Sequence, residues 1–170
     1  QLCKLNGIKN IITTCSKPNF ELVKSLGAHH AVDYNTEDIA ARVKELTNGL
    51  GVDAWIDVVG QESCDYALNN QLVAFSGHLV VIQDNPTLPR NDLGSRQTSI
   101  HNIALGAAHR AGPKAQLHLA EIGKVMVDLL AQKKIDPMVS EIIKLEEIPE
   151  FLEKSKTRHL RGKVVAKIAD

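Results

Sequence analysis

The chain has 170 residues, enough for one full-sized core and, on length alone, about one domain with part of another. Twenty basic and twenty acidic residues balance to a formal net charge of zero with no run of like charge, so the footprint of a nucleic-acid or membrane-surface binder is missing. No apolar run nears the roughly 18 residues of a bilayer span, and no basic-then-apolar leader opens the sequence, so a cytoplasmic globular protein is expected.

Residues 1–6 read as a helix tail stopped at Gly7, and 8–14, rich in isoleucine and threonine, as a buried strand. Pro18 suits the first turn of the next helix and Gly27 the left-handed position just past its end, with Phe20, Leu22, Val23 and Leu26 as its apolar stripe. A short strand at 31–34 leads to Thr36, a candidate helix cap, with Glu37 and Asp38 at the positive end of the dipole and Ile39, Val43 and Leu46 at helical spacing. Gly49 and Gly51 break that helix. Residues 52–59 (VDAWIDVV) form a nearly continuous apolar run, the pattern of a parallel strand covered on both faces, and Gly60 ends it.

A helix at 63–70 and a strand at 78–82 follow, then a surface loop at 84–97 with two prolines and a glycine. Residues 98–107 resemble a further strand. Pro113 opens the longest helix, with Leu119, Ile122, Met126, Leu129 and Leu130 on one face. A strand at 139–145, a short helix at 148–156 and a closing strand at 163–168 complete the chain. This alternation predicts an α/β fold, a Rossmann-like doubly wound parallel sheet. The sequence enters it inside the helix that follows the first strand and its glycine-rich loop. Since that strand is central in the order 3-2-1-4-5-6, strands 8–14 and 52–58 are expected to pair directly, leave a gap, or borrow a strand from another chain.

In such a unit the end of the second strand lies beside the adenosine ribose, where an acidic residue accepts from the 2′-hydroxyl and a basic one meets a 2′-phosphate. Here Ser16 and Lys17 hold that place, with no Asp or Glu from 13 to 19, which favours NADPH over NADH while leaving NADH possible. The alternative is that Ser16 caps the following helix and Lys17 is solvated surface. Tyr34 falls where a ring could reach the adenosine, or is a half-buried strand terminus. Gly60 lets backbone approach a ligand, or only makes a turn. Asp57, inside an apolar strand, reads best as a carboxylate bonded to nearby backbone at the strand end.

The seven histidines lack i, i+4 spacing or CxxC partners, so no metal site is read and zinc is not expected to be bound by this segment. Ser63 and Cys64 follow a strand, but QESCD lacks the glycines of a nucleophile elbow. The three cysteines, Cys3, Cys15 and Cys64, are odd in number and widely spaced, as reduced core thiols are.

Across nearly its whole length the chain resembles the carboxyl-terminal portion of medium-chain dehydrogenase/reductases, within them the quinone oxidoreductase-like, zinc-type alcohol dehydrogenase branch. The phrases are LVKSLGAHHAVDYNTED, NGLGVDAWIDVVG, FSGHLVVI and RGKVVAKI, in this order. The resemblance implies NAD(P)H-dependent hydride transfer involving a carbonyl, quinone or activated alkene, with a small-molecule substrate. It places Ser16, Lys17 and Tyr34 in the 2′-phosphate and adenosine region, and Val59-Gly60 and Ile82-Gln83 along the adenine and nicotinamide side. Leu105-Gly106 would approach the nicotinamide, and Arg161 could reach the cofactor from the side. It implies residues 1–135 as the nucleotide-binding domain and 136–170 as a segment packing back on the catalytic domain. It further implies a homodimer through the strand at residues 99–105, from Ser99 to Leu105, an exposed edge suited to pairing.

Catalytic residues and the metal ligands of zinc members belong to an amino-terminal domain that these residues do not contain, so the chain alone is expected to be inactive. Where many NADPH-dependent members carry a further lysine, Asn19 and Phe20 stand, which leaves Lys17 alone to supply positive charge. Two rivals are a nucleotide-sensing module without catalysis and a Rossmann-like methyltransferase. The latter expects an acidic residue where Ser16-Lys17 stands.

Overall fold

The computed structural model describes residues 1–87, 94–156 and 161–169. Its elements alternate as the sequence predicts. Helix α1 (Leu2–Leu5) ends before Gly7, and strand β1 (Ile12–Cys15) runs into a 3-10 turn, Lys17–Asn19, that carries Pro18 and opens α2 (Phe20–Ser25). Gly27 has the left-handed φ of 120° expected of it. Strand β2 (His30–Asp33), helix α3 (Ile39–Leu46), strand β3 (Val52–Asp57), helix α4 (Gln61–Asn69) and strand β4 (Val73–Val81) follow. Strand β5 (Ser99–Asn102) leads through a 3-10 turn, Leu105–His109, to α5 (Pro113–Ala131). Strand β6 (Val139–Lys144), α6 (Ile148–Ser155) and β7 (Lys163–Lys167) end the chain. Of the expected loop at 84–97, residues 88–93 lie outside the described residues.

Among the described residues every strand pair is parallel, and the strands fall into three groups: β1-β2, β3-β4-β5 and β6-β7. Among the described residues β1 and β3 do not pair. A cleft of about 280 Å³ lies between them, lined by Thr13 and Thr14 from one side and Trp55 and Ile56 from the other. The two strands thus leave a gap within the chain and do not pair directly.

The core sits on one face of β3-β4-β5. Val43 of α3 and Ala67 of α4 pack with Leu72, and Cys64 of α4 packs with Leu79 and Val81, with Trp55 touching both groups. Removing such side chains from water is what holds helix to sheet, at about 25 cal/mol per Å² of apolar surface. The opposite face of β3 carries Ile56, 55% exposed. The run 52–59 is therefore covered on one face by α3 and α4, not on both as its composition predicts. Likewise 8–14 is not a buried strand: β1 begins at Ile12, Ile8 is half exposed, and one edge of β1 faces the cleft.

Two smaller differences have local causes. Asp38, not Thr36, caps α3, its Oδ1 accepting the Ala41 N–H at 3.1 Å, while Thr36 sits in the turn after β2 with its backbone N–H on the Asp33 carbonyl at 3.2 Å. The strand expected over 98–107 stops at Asn102, and Leu105 already belongs to the 3-10 turn against which α5 packs. On α5, Leu119, Met126 and Leu129 are half-buried as its pattern predicts, while Ile122 and Leu130 stay exposed.

Candidate functional site at the carboxyl ends of the strands

Parallel strands deliver their carboxyl ends to one edge, and the candidate residues follow those ends in turn. Ser16 and Lys17 come after β1, Tyr34 after β2, Val59 and Gly60 after β3, Ile82 and Gln83 after β4, and Leu105 and Gly106 after β5. The cleft between β1 and β3 brings Tyr34 and Val59 together with Thr13, Thr14, Val58 and Ser63. Tyr34 is 56% and Val59 76% exposed, so both offer apolar surface to a ligand. Gly60 joins Val59 in a second depression with Ser63 and Asp84, and Leu105 lines a separate hollow against Leu119 and Ile122 of α5. Ile82, Gln83, Gly106, Ser16, Lys17 and Arg161 line none of these hollows.

The loop after β3 is held by Asp57, which is 2% exposed. Its Oδ1 accepts the N–H of Val59 at 2.9 Å and of Gly60 at 2.8 Å, its Oδ2 accepts Trp55 Nε1–H at 3.2 Å, and the Ser63 hydroxyl adds a fourth bond. Burial by itself pushes this carboxyl up, but the four hydrogen bonds outweigh it and hold the group below its ordinary range. The bland reading of Asp57 from sequence is the one observed, and it has a consequence for the site: the charged form fixes the backbone at Val59 and Gly60. Gly60, at φ 136°, takes a conformation that side-chain-bearing residues rarely adopt.

The turn after β1 is built differently. Ser16 occupies the cap position of Lys17–Asn19 without donating or accepting a capping bond, and its Oγ instead meets Asn19 Nδ2 at 3.3 Å. The Lys17 side chain is exposed, while its backbone N–H bonds to the carboxylate of Asp33. Asp33 is buried and also accepts from the Asn35 backbone at 3.0 Å. That backbone bond, with those from the Asn35 side chain, Thr36 and Lys17, lowers its pKa against the opposing effect of burial. Sequence reasoning passed over Asp33, although Asp-x-Asn after a strand is the signal of a carboxylate turned onto its own backbone. It also passed over a long-range contact: Arg161 Nη2 donates to the Pro18 carbonyl at 3.0 Å, bringing the last turn of the chain onto the Ser16-Lys17 turn.

Cys3, Cys15 and Cys64 are free thiols. Cys64 is fully buried, and burial, reinforced by the charge of Asp57, raises its pKa to about 11. Among the described residues no group of three or more His, Cys, Asp or Glu side chains could hold a metal ion.

The family model described as zinc-binding dehydrogenase matches residues 1–120, and the chain belongs to that family, within the medium-chain dehydrogenase/reductase superfamily. A mitochondrial NAD(P)H oxidoreductase of Drosophila melanogaster is 27% identical over 177 residues, covering 94% of this chain and 40% of the relative. A trans-enoyl reductase of Penicillium citrinum is 27% identical over 176 residues, covering 96% of the chain and 48% of the relative. The crystal structure of an alcohol dehydrogenase from Aeropyrum pernix superposes with a TM-score of 0.71 at 26% identity, over 96% of this chain and 44% of that one. The chain thus spans less than half the length of these relatives. The fold is that of the superfamily's Rossmann-type nucleotide-binding domain, and the relatives are oxidoreductases, the Drosophila one by its name an NAD(P)H oxidoreductase. No helix among the described residues is long and apolar enough to cross a membrane.

Proposed function

We propose that the chain is the cofactor-binding portion of an NADPH-preferring oxidoreductase that moves hydride between the nicotinamide and a carbonyl, quinone or activated alkene. The observation that carries the cofactor preference is the turn after β1. Ser16 and Lys17 give that turn a hydroxyl and an ammonium, and Asp33, the carboxylate bonded to it among the described residues, is buried and turned onto backbone. A free ribose diol would find no exposed carboxylate there to accept from both its hydroxyls, whereas a phosphate monoester finds a donor and a cation. The exposed surfaces of Tyr34 and Val59 suit the adenosine, and the backbone at Gly60, fixed by Asp57, suits close approach of the dinucleotide. The bound cofactor supplies or receives the hydride, and these residues bind and orient it. Ile82, Gln83, Leu105 and Gly106 extend the same edge toward the nicotinamide.

Residues 1–135 form the nucleotide-binding domain in this reading, and 136–170 pack against a catalytic domain. A homodimer forms through β5, whose one described partner is β4, leaving its other edge open for pairing. Light scattering on the purified protein reads this directly, and a monomer at tens of micromolar sinks it. The cytoplasmic placement is tested by fractionating cells that express the native polypeptide, since one relative is mitochondrial.

Trp55, the single tryptophan, borders the cleft and gives a binding signal through energy transfer to a reduced nicotinamide. Titration with NADPH and NADH is expected to favour NADPH by about tenfold or more, and Lys17→Ala to remove most of that preference, as loss of one charge-assisted bond implies. Equal affinity for the two cofactors in the parent, unchanged in the variant, overturns the reading.

A further inference from the structure

We propose that His78 and His101 form a two-imidazole site on the open face of β4 and β5. It takes a divalent copper or nickel ion, with water in the remaining positions, and the ion staples the two strands together. The site does not depend on the cofactor reading above.

The sheet itself brings the two rings together. Leu79, Val81 and Ile100 turn toward Cys64 of α4, and side chains alternate along a strand, so His78, Val80 and His101 share the opposite face. In the parallel register Ser99 lies against His78 and His101 against Val80, which makes the two histidines diagonal neighbours. Nδ1 of His78 and Nε2 of His101 are 3.0 Å apart, with ring centroids at 5.1 Å and planes inclined by 51°. Both residues are exposed. Among the described residues neither ring enters an ion pair, and the hydrogen bond of each is to the other. The pair lies 23 residues apart in sequence, so no helical ligand spacing announces it.

The separation suits a metal ion of one geometry. At imidazole–metal distances of about 2.0–2.1 Å, two nitrogens as far apart as these subtend about 94° at a shared ion. That is close to the right angle between neighbouring ligands of a tetragonal or octahedral ion, and well short of the roughly 109° of tetrahedral zinc. Copper(II) and nickel(II) favour the former arrangement, and imidazole suits both. One hydrogen now joins the two nitrogens, so one ring donates and the other accepts. An entering ion takes the place of that hydrogen, which passes through solvent to the other nitrogen of the same ring. Both imidazoles stay neutral, no proton is released, and the ion keeps its charge. Modest rotations of the exposed rings aim both lone pairs at one point. Since β4 is the one described partner of β5, an ion bound to both side chains holds β5 in place.

Titration of the full chain with nickel chloride tests the site, because nickel(II) does not oxidise the free thiols. Substoichiometric nickel is expected to broaden the ring-proton resonances of His78 and His101 ahead of those of the other histidines. By calorimetry, His78→Ala and His101→Ala should each weaken the tightest nickel binding by about tenfold or more, since each leaves a single ligand. With nickel about a hundredfold above its dissociation constant, the folding equilibrium of the parent should shift by up to about a hundredfold, read as a higher urea midpoint. The two variants should keep the parent's midpoint without nickel, their side chains being exposed, and should not move when nickel is added. Unchanged nickel affinity in either variant, or earlier broadening of other histidines, overturns the site. Zinc bound more tightly than nickel overturns the choice of ion, and a parent whose midpoint ignores nickel overturns the staple.

Discussion

The Oδ1 atom of Asp57 and the backbone N–H of Gly60 are 2.8 Å apart, and that bond joins the end of β3 to the start of α4. The Gly60 carbonyl in turn accepts the N–H groups of Ser63 and Cys64, so one carboxylate sets both the strand end and the first helical turn. Its four donors come from two backbone and two side-chain groups, and none of them is charged. The negative charge is therefore stabilised by dipoles alone, in a place where water has little access.

Asp57→Asn keeps the shape but removes the charge and turns an amide N–H₂ toward donors. One or more of the N–H groups of Val59, Gly60 and Trp55 then loses its acceptor, at a cost of about 2 kcal/mol. Urea unfolding followed by the fluorescence of Trp55 measures it. A midpoint equal to that of the parent refutes the bracing role of the carboxylate.

Stability should fall in acid, and Asp57 should account for part of the fall. Both Asp57 and Asp33 have their pKa lowered by folding, so the unfolded chain, whose aspartates titrate near 3.9, takes up protons first as the pH drops. The stabilisation is complete above about pH 5 and is lost as the pH descends through 4 toward the lower folded values. Urea midpoints measured from pH 7 to pH 3 should stay level and then decline, more gently in Asp57→Asn than in the parent. Identical slopes in the two proteins contradict the lowered pKa of Asp57.

Periodicity made most of the fold legible. The apolar spacing of Ile39, Val43 and Leu46 gave α3, Pro18 and Gly27 bracketed α2, and Pro113 opened α5 as expected. Two errors share one cause. Residues 8–14 and 52–59 have the composition of strands buried on both sides, but composition records only what a strand is suited to pack against, and the described residues cover β3 on one face and pair β1 on one edge. Of the candidate positions, Ser16, Tyr34 and Gly60 were legible as residues at strand ends, which is where the structure has them. The seating of Arg161 on Pro18 was not, since a contact between residues 143 apart leaves no trace in local spacing.

Gly51 and Gly49 offer a paired test of how the turn into β3 is built. Both are left-handed, at φ 84° and 79°, so alanine strains either backbone by about 1 kcal/mol. They differ in surroundings: a Cβ on Gly51 would lie 2.7 Å from the Leu72 carbonyl oxygen, while one on Gly49 meets nothing within 4 Å. That carbonyl accepts the Val52 N–H at 2.8 Å, the first bond between β3 and the segment entering β4, and a Cβ would push the two apart. Gly51→Ala should cost about 2 kcal/mol or more and Gly49→Ala about half that, by urea unfolding. Equal losses would show that the close approach at Gly51 contributes nothing.

Cys64 should report on the integrity of the same core. Its Sγ packs with Leu79 and Val81 and meets the Asp84 carbonyl at 3.9 Å, and its pKa of about 11 leaves almost none of it as thiolate at pH 8. Access and ionisation thus both oppose reaction. In a Cys3→Ser, Cys15→Ser background, a disulfide reagent at pH 8 should modify Cys64 at least about a thousandfold more slowly than free cysteine, because only the rare unfolded molecules react. Urea below the unfolding midpoint should accelerate the reaction in step with the unfolded fraction. Asp57→Asn, by loosening the turn that begins α4, should accelerate it further at the same urea concentration. Fast modification in the absence of urea would mean that α4 separates from the sheet without global unfolding, and would place the weak point of the domain at the loop that Asp57 braces.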